Sequence, residues 1–568
     1  MIANSQGLPK AWDEEADLVV LGSGGAALAG AVTGAVEGAR VVVLEKTAFI
    51  GGTTSVSGGG FWVPGNRHTI EVGVEDSPAE ALTYLRACSG GCEDDDVLVA
   101  LAEHGPPMIE LLEDRAGMAF RPWPSKGGTI DYRPELPGSK HGGRTLDAGK
   151  FMLSDLGEWG ARIRIGAASA WTVDKLITYA DSYHALPPDE TRPRRSAGDP
   201  VQDALANGTA LIAQLMQGCL SQGVTMRVNA PGKQLLVEDG RVVGVRAERD
   251  GKPWFVRARH GVLVATGGFA HNEEMKRLWL DRALEYSCEI VENQGDGHMM
   301  GMAIGAQLGG MGDAWWQMQN AGHRQRYVPH TMVVNDQGRR FCDDSLNYYD
   351  FGHQFGSKRD NPGGRPRNLP AWMIFDHQAA TKYQVIADVL NGWAKLQKNP
   401  AAASAQLGPM VLTKADTLGS LAERLGIDAG RLKETVERFN GFARDGHDAD
   451  FHRGESQWSI AWGDPNHKPN PSLGTVEQGP FYALEIQSGA LATRGGLRVN
   501  GKAQVLSAAD GAPIPGLYAA GNSSNGFAPL SYPGPGATIG AGMTFGYIAA
   551  QQVAAEVRQR AKAAGVPA

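Results

Sequence analysis

A glycine pattern directly after a short apolar run is the first feature of this sequence with chemical meaning. Gly22, Gly24 and Ala27 form G-x-G-x-x-A at the end of the run Asp17–Leu21. Glycines are needed where a strand turns sharply into a helix and where main chain must approach a pyrophosphate, and the helix that follows offers its N-terminal amides to that anion. Glu45 stands 23 residues after Gly22, where a carboxylate can accept both ribose hydroxyls. The pattern predicts a dinucleotide site; the alternative is a tight βα turn without a ligand.

Further glycine-rich stretches favour FAD over NAD as the dinucleotide. The sequence GGTTSVSGGG occupies residues 51–60, shortly after Glu45. Two more glycine-terminated apolar runs follow, with ATGG at residues 265–268 and GLYAAG at residues 516–521. An extended FAD contacts such strand ends along its whole length. The order of these stretches therefore indicates FAD, although each one alone is common in ordinary α/β turns.

The elements that must position these residues are strands and helices of an α/β fold. Asp17–Leu21 and Val41–Glu45 read as buried parallel strands, and the alanine-rich Ala26–Glu37 between them reads as a helix. Farther along, Arg241–Glu248 alternates apolar and polar residues, and Gly261–Ala265 is another buried run. We expect these two to form an antiparallel meander that feeds back into the sheet.

The remaining patterns place a last strand and a closing helix near the end of the chain. Gly516–Ala520 is predicted to be that strand and Gly540–Val557 that helix. Apolar residues within Leu418–Phe439 fit a helical stripe, with Asp416 as its N-cap. Residues 352–410 are rich in Gly, Pro, Asn and Gln and predict loops with short helices.

Composition excludes several functional classes. The net charge of −8 leaves no broad basic surface, so no nucleic-acid partner is expected. The five cysteines are odd in number and scattered, and Cys88 and Cys92 lack a second ligand pair, so neither a disulfide framework nor a metal site is predicted. The N-terminus does not read as a signal peptide, and no apolar stretch reaches the ~18 residues that span a bilayer. We expect a cytoplasmic protein, with peripheral membrane association left open.

The order of the glycine motifs resembles that of one flavoprotein family. GSGGAA, Glu45, GGTTSVSGG, ATGGF, GDG at residues 295–297 and AAGN at residues 519–522 are similar to the family of fumarate reductases and 3-ketosteroid dehydrogenases, from about residue 15 to residue 555. The resemblance implies noncovalent FAD, since residues 51–60 lack the His to which some relatives attach flavin. The residues that it assigns to FAD are Gly22, Gly24, Gly25, Ala26, Ala27, Glu45, Lys46, Gly51, Gly52, Thr53, Thr54, Ser57, Gly58, Gly59, Gly60, Ala265, Thr266, Gly267, Gly268, Asn272, Asp296, Gly521, Asn522, Gly536, Ala537, Thr538 and Ile539.

The same resemblance implies the fold. At 568 residues the chain is too long for one compact core. We expect an α/β protein with a Rossmann-type FAD-binding domain built from both ends of the chain, residues 1–298 and 484–568. An α+β substrate-binding and catalytic domain, residues 299–483, is inserted between them. Segment 145–205 matches the family poorly and receives no role.

A run near the C-terminus resembles the 3-ketosteroid Δ1-dehydrogenase branch. YPGPGATIG, residues 532–540, stands where fumarate reductases carry an arginine run, and Arg494 survives as a cation without their dicarboxylate clamp. The resemblance implies that the Tyr532 hydroxyl and the Gly536 N–H hold a 3-keto oxygen. Two fixed donors there would stabilise the negative charge that develops when a neighbouring proton is removed.

Two further segments carry tyrosines over from that branch. RRFCDDSLNYYD, residues 339–350, resembles the stretch whose tyrosine takes the C2 proton, which assigns that role to Tyr348. Asp343, Asp344 and Asn347 depart from the pattern and leave Tyr349 as a less favoured candidate. TIDYRPELPG, residues 129–138, assigns Tyr132 as a hydrogen-bond partner.

Other proton carriers and simpler roles are also possible for these residues. A single tyrosine is more often a half-buried packing residue with a satisfied hydroxyl. His141, His330 and His353 are further candidate proton carriers, although surface or hydrogen-bonded histidines are the commoner case.

The reaction implied by the resemblance is 1,2-desaturation of a 3-ketosteroid. Tyr348, supported by Tyr132, removes the C2 proton, and hydride passes from C1 to the flavin N5. An unidentified electron acceptor then reoxidises the flavin. The alternatives are a 3-ketosteroid Δ4-(5α)-dehydrogenase or another enone reductase on the same scaffold, and a non-catalytic flavin-binding module for electron transfer.

Overall fold

The computed structural model describes residues 8–123, 130–166, 204–318, 323–398, 411–527 and 530–563. Its strands are β1 (Glu14–Leu21), β2 (Val41–Leu44), β3 (Phe61–Trp62), β4 (Arg121–Pro122), β5 (Thr145–Asp147), β6 (Phe151–Met152), β7 (Ala204–Leu205), β8 (Thr225–Arg227), β9 (Gly232–Glu238), β10 (Arg241–Arg249), β11 (Lys252–Val264), β12 (Tyr286–Ser287), β13 (Leu308–Gly309), β14 (Ala314–Met318), β15 (Thr331–Asn335), β16 (Ala371–Phe375), β17 (Leu412–Ala415), β18 (Phe481–Ile486), β19 (Ser488–Thr493), β20 (Gly496–Leu497), β21 (Gln504–Leu506) and β22 (Pro513–Ala519).

The helices surround these strands. The α-helices are α1 (Gly25–Val36), α2 (Gly52–Val56), α3 (Pro78–Ser89), α4 (Asp95–Asp114), α5 (Asn207–Ser221), α6 (Glu273–Trp279), α7 (Asp296–Ala303), α8 (Tyr348–His353), α9 (His377–Lys382), α10 (Gln384–Lys398), α11 (Leu418–Leu425), α12 (Ala429–Asp445), α13 (Gln457–Trp462) and α14 (Ala537–Ala563). Short 3₁₀ helices lie at Arg67–Val72, Leu153–Arg162, Gln325–Tyr327 and Gly521–Ser523.

The predicted βαβ unit forms the centre of the main sheet. β1 pairs in parallel with β2, with Leu18 opposite Val41, and β2 pairs in parallel with β8. The last four residues of β1 and all four of β2 are buried. Strands this apolar must be covered on both faces, which is typical of a parallel sheet in an α/β fold.

β11 connects the meander to this parallel sheet. Its first half pairs antiparallel with β10, where Val245 lies opposite Val256. Its second half pairs in parallel with β1 on one side and β22 on the other. The predicted meander and last strand are therefore confirmed, and residues from both ends of the chain lie in one sheet.

A second sheet with strand order β15-β16-β18-β17 is antiparallel throughout. One of its faces packs under α9 and α10 and the other under α11 and α12, with a separate apolar cluster on each face. The predicted domain boundaries at residues 298/299 and 483/484 stay a prediction, and the second one falls within β18.

Three local predictions in this region were wrong. Thr417, rather than Asp416, caps α11, because its side chain accepts the Ser420 N–H while Ser420 reciprocates. The stripe in Leu418–Phe439 spans two helices, since Gly426 takes a left-handed conformation and ends α11. Residues 352–410 contain the buried strand β16 in addition to helices. The Gly- and Pro-rich residues around this strand made the segment look like loops in the sequence.

One further stretch, segment 145–205, is described only in part. Its described residues form β5, β6, the 3₁₀ helix Leu153–Arg162 and β7, while residues 167–203 lie outside the described residues. Within the described part of the chain, no helix is long and apolar enough to cross a membrane. A cytoplasmic location stays a prediction.

The two helices next to the glycine-rich turn pack backbone against backbone. A Cβ atom on Gly546 of α14 would lie 2.2 Å from the carbonyl oxygen of Ala26 in the first turn of α1. A Cβ atom on Gly30 would lie 2.9 Å from the carbonyl oxygen of Gly546. Only glycine permits this approach, which brings the start of α1 against the C-terminal helix.

We therefore expect Gly546→Ala to lower the free energy of unfolding by roughly 1–3 kcal/mol, because the added methyl overpacks the α1–α14 contact. Gly441→Ala in α12 is the matched control, since a Cβ atom there meets nothing within 4 Å. It should raise stability by about 0.4–1 kcal/mol through the unfolded chain. Thermal and urea unfolding of the two variants measures both effects, and equal stability changes would contradict the close-packing argument.

Candidate functional site

The turn between β1 and α1 presents open main-chain donors. Gly22 has φ +99°, and a Cβ atom on it would lie 2.3 Å from the Ala265 carbonyl oxygen. Gly24 occupies the N-cap of α1, no side chain caps the helix there, and its first turn holds no acidic residue. The Gly25 N–H donates to the Thr54 hydroxyl at 3.1 Å. A helix N-terminus with this arrangement suits the pyrophosphate of a dinucleotide.

Glu45 follows β2 directly, and its buried carboxylate has two fixed donors. The Ser23 hydroxyl donates to it at 2.6 Å and the Thr47 N–H at 2.8 Å. Ser23 in turn accepts the Gly51 N–H at 3.0 Å. Burial raises the pKa of Glu45. These bonds place the carboxylate beside the glycine-rich turn, where it can accept ribose hydroxyls.

Assigned cofactor residues from distant parts of the chain converge on this turn. A Cβ atom on Gly25 would lie 3.6 Å from the Ile539 side chain, and one on Gly521 would lie 3.2 Å from the Cβ of Ala26. Lys46 forms an ion pair with Asp296 at 2.6 Å. The small residues leave a cradle that bulkier side chains would fill, and the donor set fits FAD.

Three of the assigned polar residues are engaged in local hydrogen bonds. Thr53 accepts from Asn293 Nδ2 at 3.1 Å, and Thr266 accepts the Gly297 N–H at 3.1 Å. Asn272 caps α6 by accepting the Met275 N–H at 3.0 Å. These bonds hold the cofactor loops in place, and Asn272 also caps α6.

Glu289 is a residue of this region that the sequence did not single out. It is buried, and its carboxylate accepts the N–H groups of Gly268 at 3.2 Å and Ala270 at 3.1 Å and the side-chain amide of Asn293 at 3.0 Å. Burial raises its pKa to about 7, with the hydrogen bonds opposing that shift. Glu289 fixes the ATGG loop, but it lies in no recognisable motif.

Three tyrosines assigned from separate motifs come together in one aromatic cluster. The ring centroid of Tyr132 lies 5.2 Å from that of Tyr348 and 5.4 Å from that of Tyr532. Tyr348 and Tyr532 are 5.7 Å apart. All three rings are buried, and each of the three pairs joins residues more than 180 positions apart in the printed sequence. Tertiary structure alone brings them together.

The start of α8 positions Tyr348. Asn347 caps this helix by accepting the Asp350 N–H at 3.0 Å, and its Nδ2 donates to the Tyr132 carbonyl oxygen at 3.3 Å. Asn347 is one of the residues that depart from the family pattern. Its side chain ties the helix that carries Tyr348 to the segment that carries Tyr132.

A buried ion network supports the other two tyrosines. Arg144 pairs with Asp131 and with Asp76, each at 2.7 Å. The Tyr132 N–H and the Tyr84 hydroxyl both donate to the Pro533 carbonyl oxygen, at 3.0 and 2.7 Å. The Y-P-G-P-G turn is therefore held against the segment around residue 132. Arg144 and Tyr84 lie in no motif and could not be found by sequence reasoning.

The Tyr532 hydroxyl lies at the start of α14. It is 3.3 Å from the Thr538 hydroxyl and accepts the Thr538 N–H at 3.4 Å. Gly536 has φ +84°, and a Cβ atom on it would lie 2.2 Å from the Gly60 carbonyl oxygen. Desolvation by burial raises the pKa of Tyr532. The hydroxyl is therefore protonated at neutral pH and able to donate.

Burial also dominates the electrostatics of the other two phenols. It holds the pKa of Tyr132 and of Tyr348 well above the usual range, and Arg324 opposes that shift for Tyr132. His323, which the sequence did not single out, lies with its ring 5.1 Å from that of Tyr348. Desolvation holds the pKa of His323 well below its usual range, so the imidazole is neutral.

Tyr349 occupies a different environment from Tyr348. Its hydroxyl donates to Asp313 at 3.1 Å, and Arg494 donates to the same carboxylate oxygen at 3.1 Å. Arg494 also donates to the Phe527 carbonyl oxygen at 3.0 Å. The Tyr349 hydroxyl is thus engaged by Asp313, whereas the Tyr348 ring contacts both Tyr132 and Tyr532.

The structure distributes the three candidate histidines widely. His141 is exposed. His330 is hydrogen-bonded to the Thr475 carbonyl oxygen at 2.7 Å, within the inserted sheet region. The ring of His353 lies 4.6 Å from that of Tyr349, and burial lowers its pKa to about 4. None of these three rings is described in contact with Tyr348.

An apolar cleft joins the tyrosine cluster to the cofactor residues. Its wall contains Trp315, whose ring lies 5.2 Å from Tyr532 and whose Nε1 donates to Asn522 Oδ1 at 3.2 Å. The other apolar side chains of the wall are Val97, Val499, Phe527 and Phe545. Gly521, Asn522 and Thr538, all assigned to FAD, line the same cleft. The wall is therefore mostly apolar and adjoins residues assigned to the cofactor.

Comparison with known proteins agrees with this arrangement. A family model described as FAD binding domain matches residues 17–539. The 3-oxosteroid 1-dehydrogenase of Mycolicibacterium smegmatis is 38% identical, over 95% of this chain and 98% of that protein. The 4-oxocyclohexanecarboxylate 2-dehydrogenase of Sinomonas cyclohexanicum is 36% identical, over 95% of this chain and 93% of that protein.

A solved structure extends the likeness to three dimensions. The crystal structure of 3-ketosteroid delta1-dehydrogenase from Sterolibacterium denitrificans, in complex with 1,4-androstadiene-3,17-dione, superposes with a TM-score of 0.83 at 32% identity. The match covers 96% of this chain and 100% of that one. The predictions of FAD, of the α/β fold and of the family are confirmed. The chain is an FAD-dependent oxidoreductase that belongs to the FAD binding domain family, together with the 3-oxosteroid 1-dehydrogenases.

Proposed function

We propose that this enzyme desaturates the 1,2 bond of a 3-ketosteroid or a similar fused-ring ketone. The observation that carries the proposal is the convergence of Tyr132, Tyr348 and Tyr532 beside an apolar cleft lined by cofactor residues. Full-length similarity to 3-oxosteroid 1-dehydrogenases supports it.

Tyr532 and Gly536 are proposed to bind the ketone oxygen. The Tyr532 hydroxyl is buried and protonated, and the Gly536 N–H belongs to the same tight turn. Two donors fixed in a dry site stabilise charge that develops on the oxygen as the adjacent C–H is broken, without reorganisation cost. This pair makes the C2 proton more acidic.

Tyr348 is proposed to accept the C2 proton, with Tyr132 as its hydrogen-bond partner. A buried phenol is a weak base, because burial raises the pKa of Tyr348 and disfavours phenolate. Tyr132 and Tyr532 raise the pKa of Tyr348 further, whereas Tyr348 and Arg324 lower the pKa of Tyr132. Because the His323 ring is neutral, it adds no positive charge that would favour the phenolate of Tyr348.

FAD, held noncovalently, supplies the two-electron oxidising capacity of the reaction. The uncapped N-terminus of α1 at Gly24 would hold its pyrophosphate and Glu45 would hold its ribose, while Asn522 and Thr538 line the cleft. An external electron acceptor completes the cycle.

The cleft favours a steroid over a small oxo acid. Its described apolar wall holds no cation that faces inward, and the nearest arginine, Arg494, is engaged with Asp313 and Phe527. A carboxylate such as 4-oxocyclohexanecarboxylate would find no cation to pair with among the described residues of this wall. An anaerobic bleaching screen with both substrate classes tests this: rapid bleaching by a 3-ketosteroid with a new 1,2 double bond supports the proposal, and bleaching by the oxo acid alone contradicts it.

Glu45→Ala is expected to lower FAD occupancy, because the ribose hydroxyls lose their buried acceptor and Ser23 and Thr47 lose a hydrogen-bond partner. Acid precipitation of parent and variant should release the yellow flavin into solution, where its absorbance gives the occupancy. Colour retained in the pellet would contradict noncovalent binding, and unchanged occupancy in the variant would remove Glu45 from the site.

Tyr348→Phe is expected to abolish nearly all turnover while FAD content stays at the parent level, since only the proposed base is lost. Tyr349→Phe is the matched control, because its hydroxyl contacts Asp313 rather than the tyrosine cluster. It should retain most of the flavin reduction rate. Rates from anaerobic stopped-flow reduction decide between them, and an inactive Tyr349→Phe beside an active Tyr348→Phe would reverse the assignment.

Tyr532→Phe is expected to lower the rate of flavin reduction by ~100-fold or more, because one donor to the developing charge is removed. Binding of a nonreactive steroid should weaken far less, since apolar burial supplies most of that affinity. Gly536→Ala should be at least as harmful, because its φ is +84° and a Cβ atom would meet the Gly60 carbonyl.

Stopped-flow reduction and equilibrium binding, measured on the same Tyr532→Phe preparation, separate the two effects. A parent-like reduction rate would refute the role in charge stabilisation. Weaker binding with intact chemistry would make Tyr532 a substrate anchor only.

A further inference from the structure

A group of metal-ligating side chains lies in the inserted region, away from the tyrosine cluster. His447, His452 and Glu455 present their imidazole and carboxylate atoms within 4.8 Å of one another. His447 Nδ1 is 2.6 Å from one Glu455 oxygen, and His452 Nδ1 is 3.2 Å from the other. No sequence motif singles out these three residues.

Two of the three spacings among these atoms are close to those of a metal shell. Ligands bound at 2.0–2.2 Å around a tetrahedral ion lie roughly 3.4 Å apart. The two imidazole–carboxylate distances therefore need to change by less than about 1 Å to admit an ion. Two imidazoles and one carboxylate match the donor set that three-ligand zinc sites use.

The backbone that carries these ligands is fixed rather than loose. α12 ends at Gly446, which is left-handed, and His447 follows at once. Asp448 is buried, pairs with Arg340 at 2.7 Å and accepts backbone N–H groups from the turn after it. The His452 N–H donates to the Asp448 carbonyl oxygen at 2.8 Å.

His452 itself adopts an unusual conformation. Its φ is +61°, a region that histidine occupies only occasionally. The next residue, Arg453, has a fully buried side chain that pairs with Asp344 at 2.9 Å. The Glu455 N–H donates to the His452 carbonyl oxygen at 3.2 Å. Hydrogen bonds and an ion pair thus hold the turn on both sides of His452. The His452 imidazole lies next to the Glu455 carboxylate.

We propose that His447, His452 and Glu455 form a surface zinc site. Each contributes one ligand atom, and since all three side chains are exposed, water completes the coordination. Hard cations that prefer all-oxygen shells fit this donor set poorly. The site is independent of the proposed steroid oxidation, because its ligands contact none of the residues placed in that reaction.

The test uses the full-length holoenzyme, freed of any polyhistidine tag, stripped with EDTA and desalted. Zn²⁺ alone is titrated by calorimetry at about pH 7.5, above the ordinary imidazole pKa of ~6.5. We expect saturable binding of one ion per chain. X-ray absorption at the zinc edge, which flavin does not mask, should show nitrogen and oxygen neighbours at about 2.0–2.1 Å.

Three variants remove one ligand each: His447→Gln, His452→Asn and Glu455→Gln. Asparagine suits position 452 because it tolerates a left-handed backbone, so the turn should keep its shape. Each variant should weaken Zn²⁺ binding by at least ~10-fold. His377→Gln, which removes an exposed histidine at the start of α9, is the matched control and should bind as the parent does.

Thermal unfolding in EDTA checks that every variant folds like the parent. Loss of binding in the three ligand variants, with retention in His377→Gln, supports the site. Parent protein without saturable binding overturns it, as does undiminished binding in folded His452→Asn and His447→Gln.

Discussion

The contact between the Y-P-G-P-G turn and β3 is the constraint on which the site depends. The Trp62 N–H donates to the Gly536 carbonyl oxygen at 3.1 Å, and a Cβ atom on Gly540 would lie 1.9 Å from the Trp62 carbonyl oxygen. Main chain packs directly on main chain here, so larger residues have no room. This contact joins the C-terminal helix to the segment after α2, and so fixes Tyr532 and the cofactor loop relative to each other.

Charge buried beneath this contact extends the constraint to the other tyrosines. Trp62 donates through Nε1 to Asp131 at 2.8 Å, and Arg144 pairs with the same carboxylate. Desolvation raises the pKa of Asp131 to about 6, with Arg144 opposing the shift. Burying an ion pair is costly unless its remaining hydrogen bonds are made. Here the segment next to Tyr132 makes these remaining hydrogen bonds. The rigid ion network therefore helps to hold the Tyr132 ring in position.

The sequence was sufficient where function depends on local pattern. The β1–α1 turn needs glycine at fixed spacing, so Gly22 and Gly24 were recognisable, as was the paired acid Glu45. Tyr348 was assigned by its surrounding segment, and the structure adds a reason to prefer it over Tyr349, whose hydroxyl contacts Asp313.

Residues whose partners are distant in sequence could not be predicted. Arg144 contacts Asp76, 68 positions away, and Glu289 serves a loop 21 positions before it. Neither has a spacing that repeats or a motif around it. Asp416 failed as a helix cap for a local reason, since two neighbouring residues could both cap and only the backbone angle decided for Thr417.

Arg494 illustrates how a shared scaffold changes the chemistry that it admits. A cation near the substrate cleft would attract a carboxylate, yet here Asp313 neutralises it, Phe527 accepts a second hydrogen bond, and its guanidinium carbon lies 5.0 Å from the centre of the Trp315 ring. The Trp315 ring also packs against Tyr532, and Trp315 lines the cleft. The Arg494 guanidinium therefore packs against the aromatic wall and is not available to bind a carboxylate of the substrate. The wall itself is apolar. A single acidic partner, Asp313, thus converts a potential anion site into part of an apolar surface.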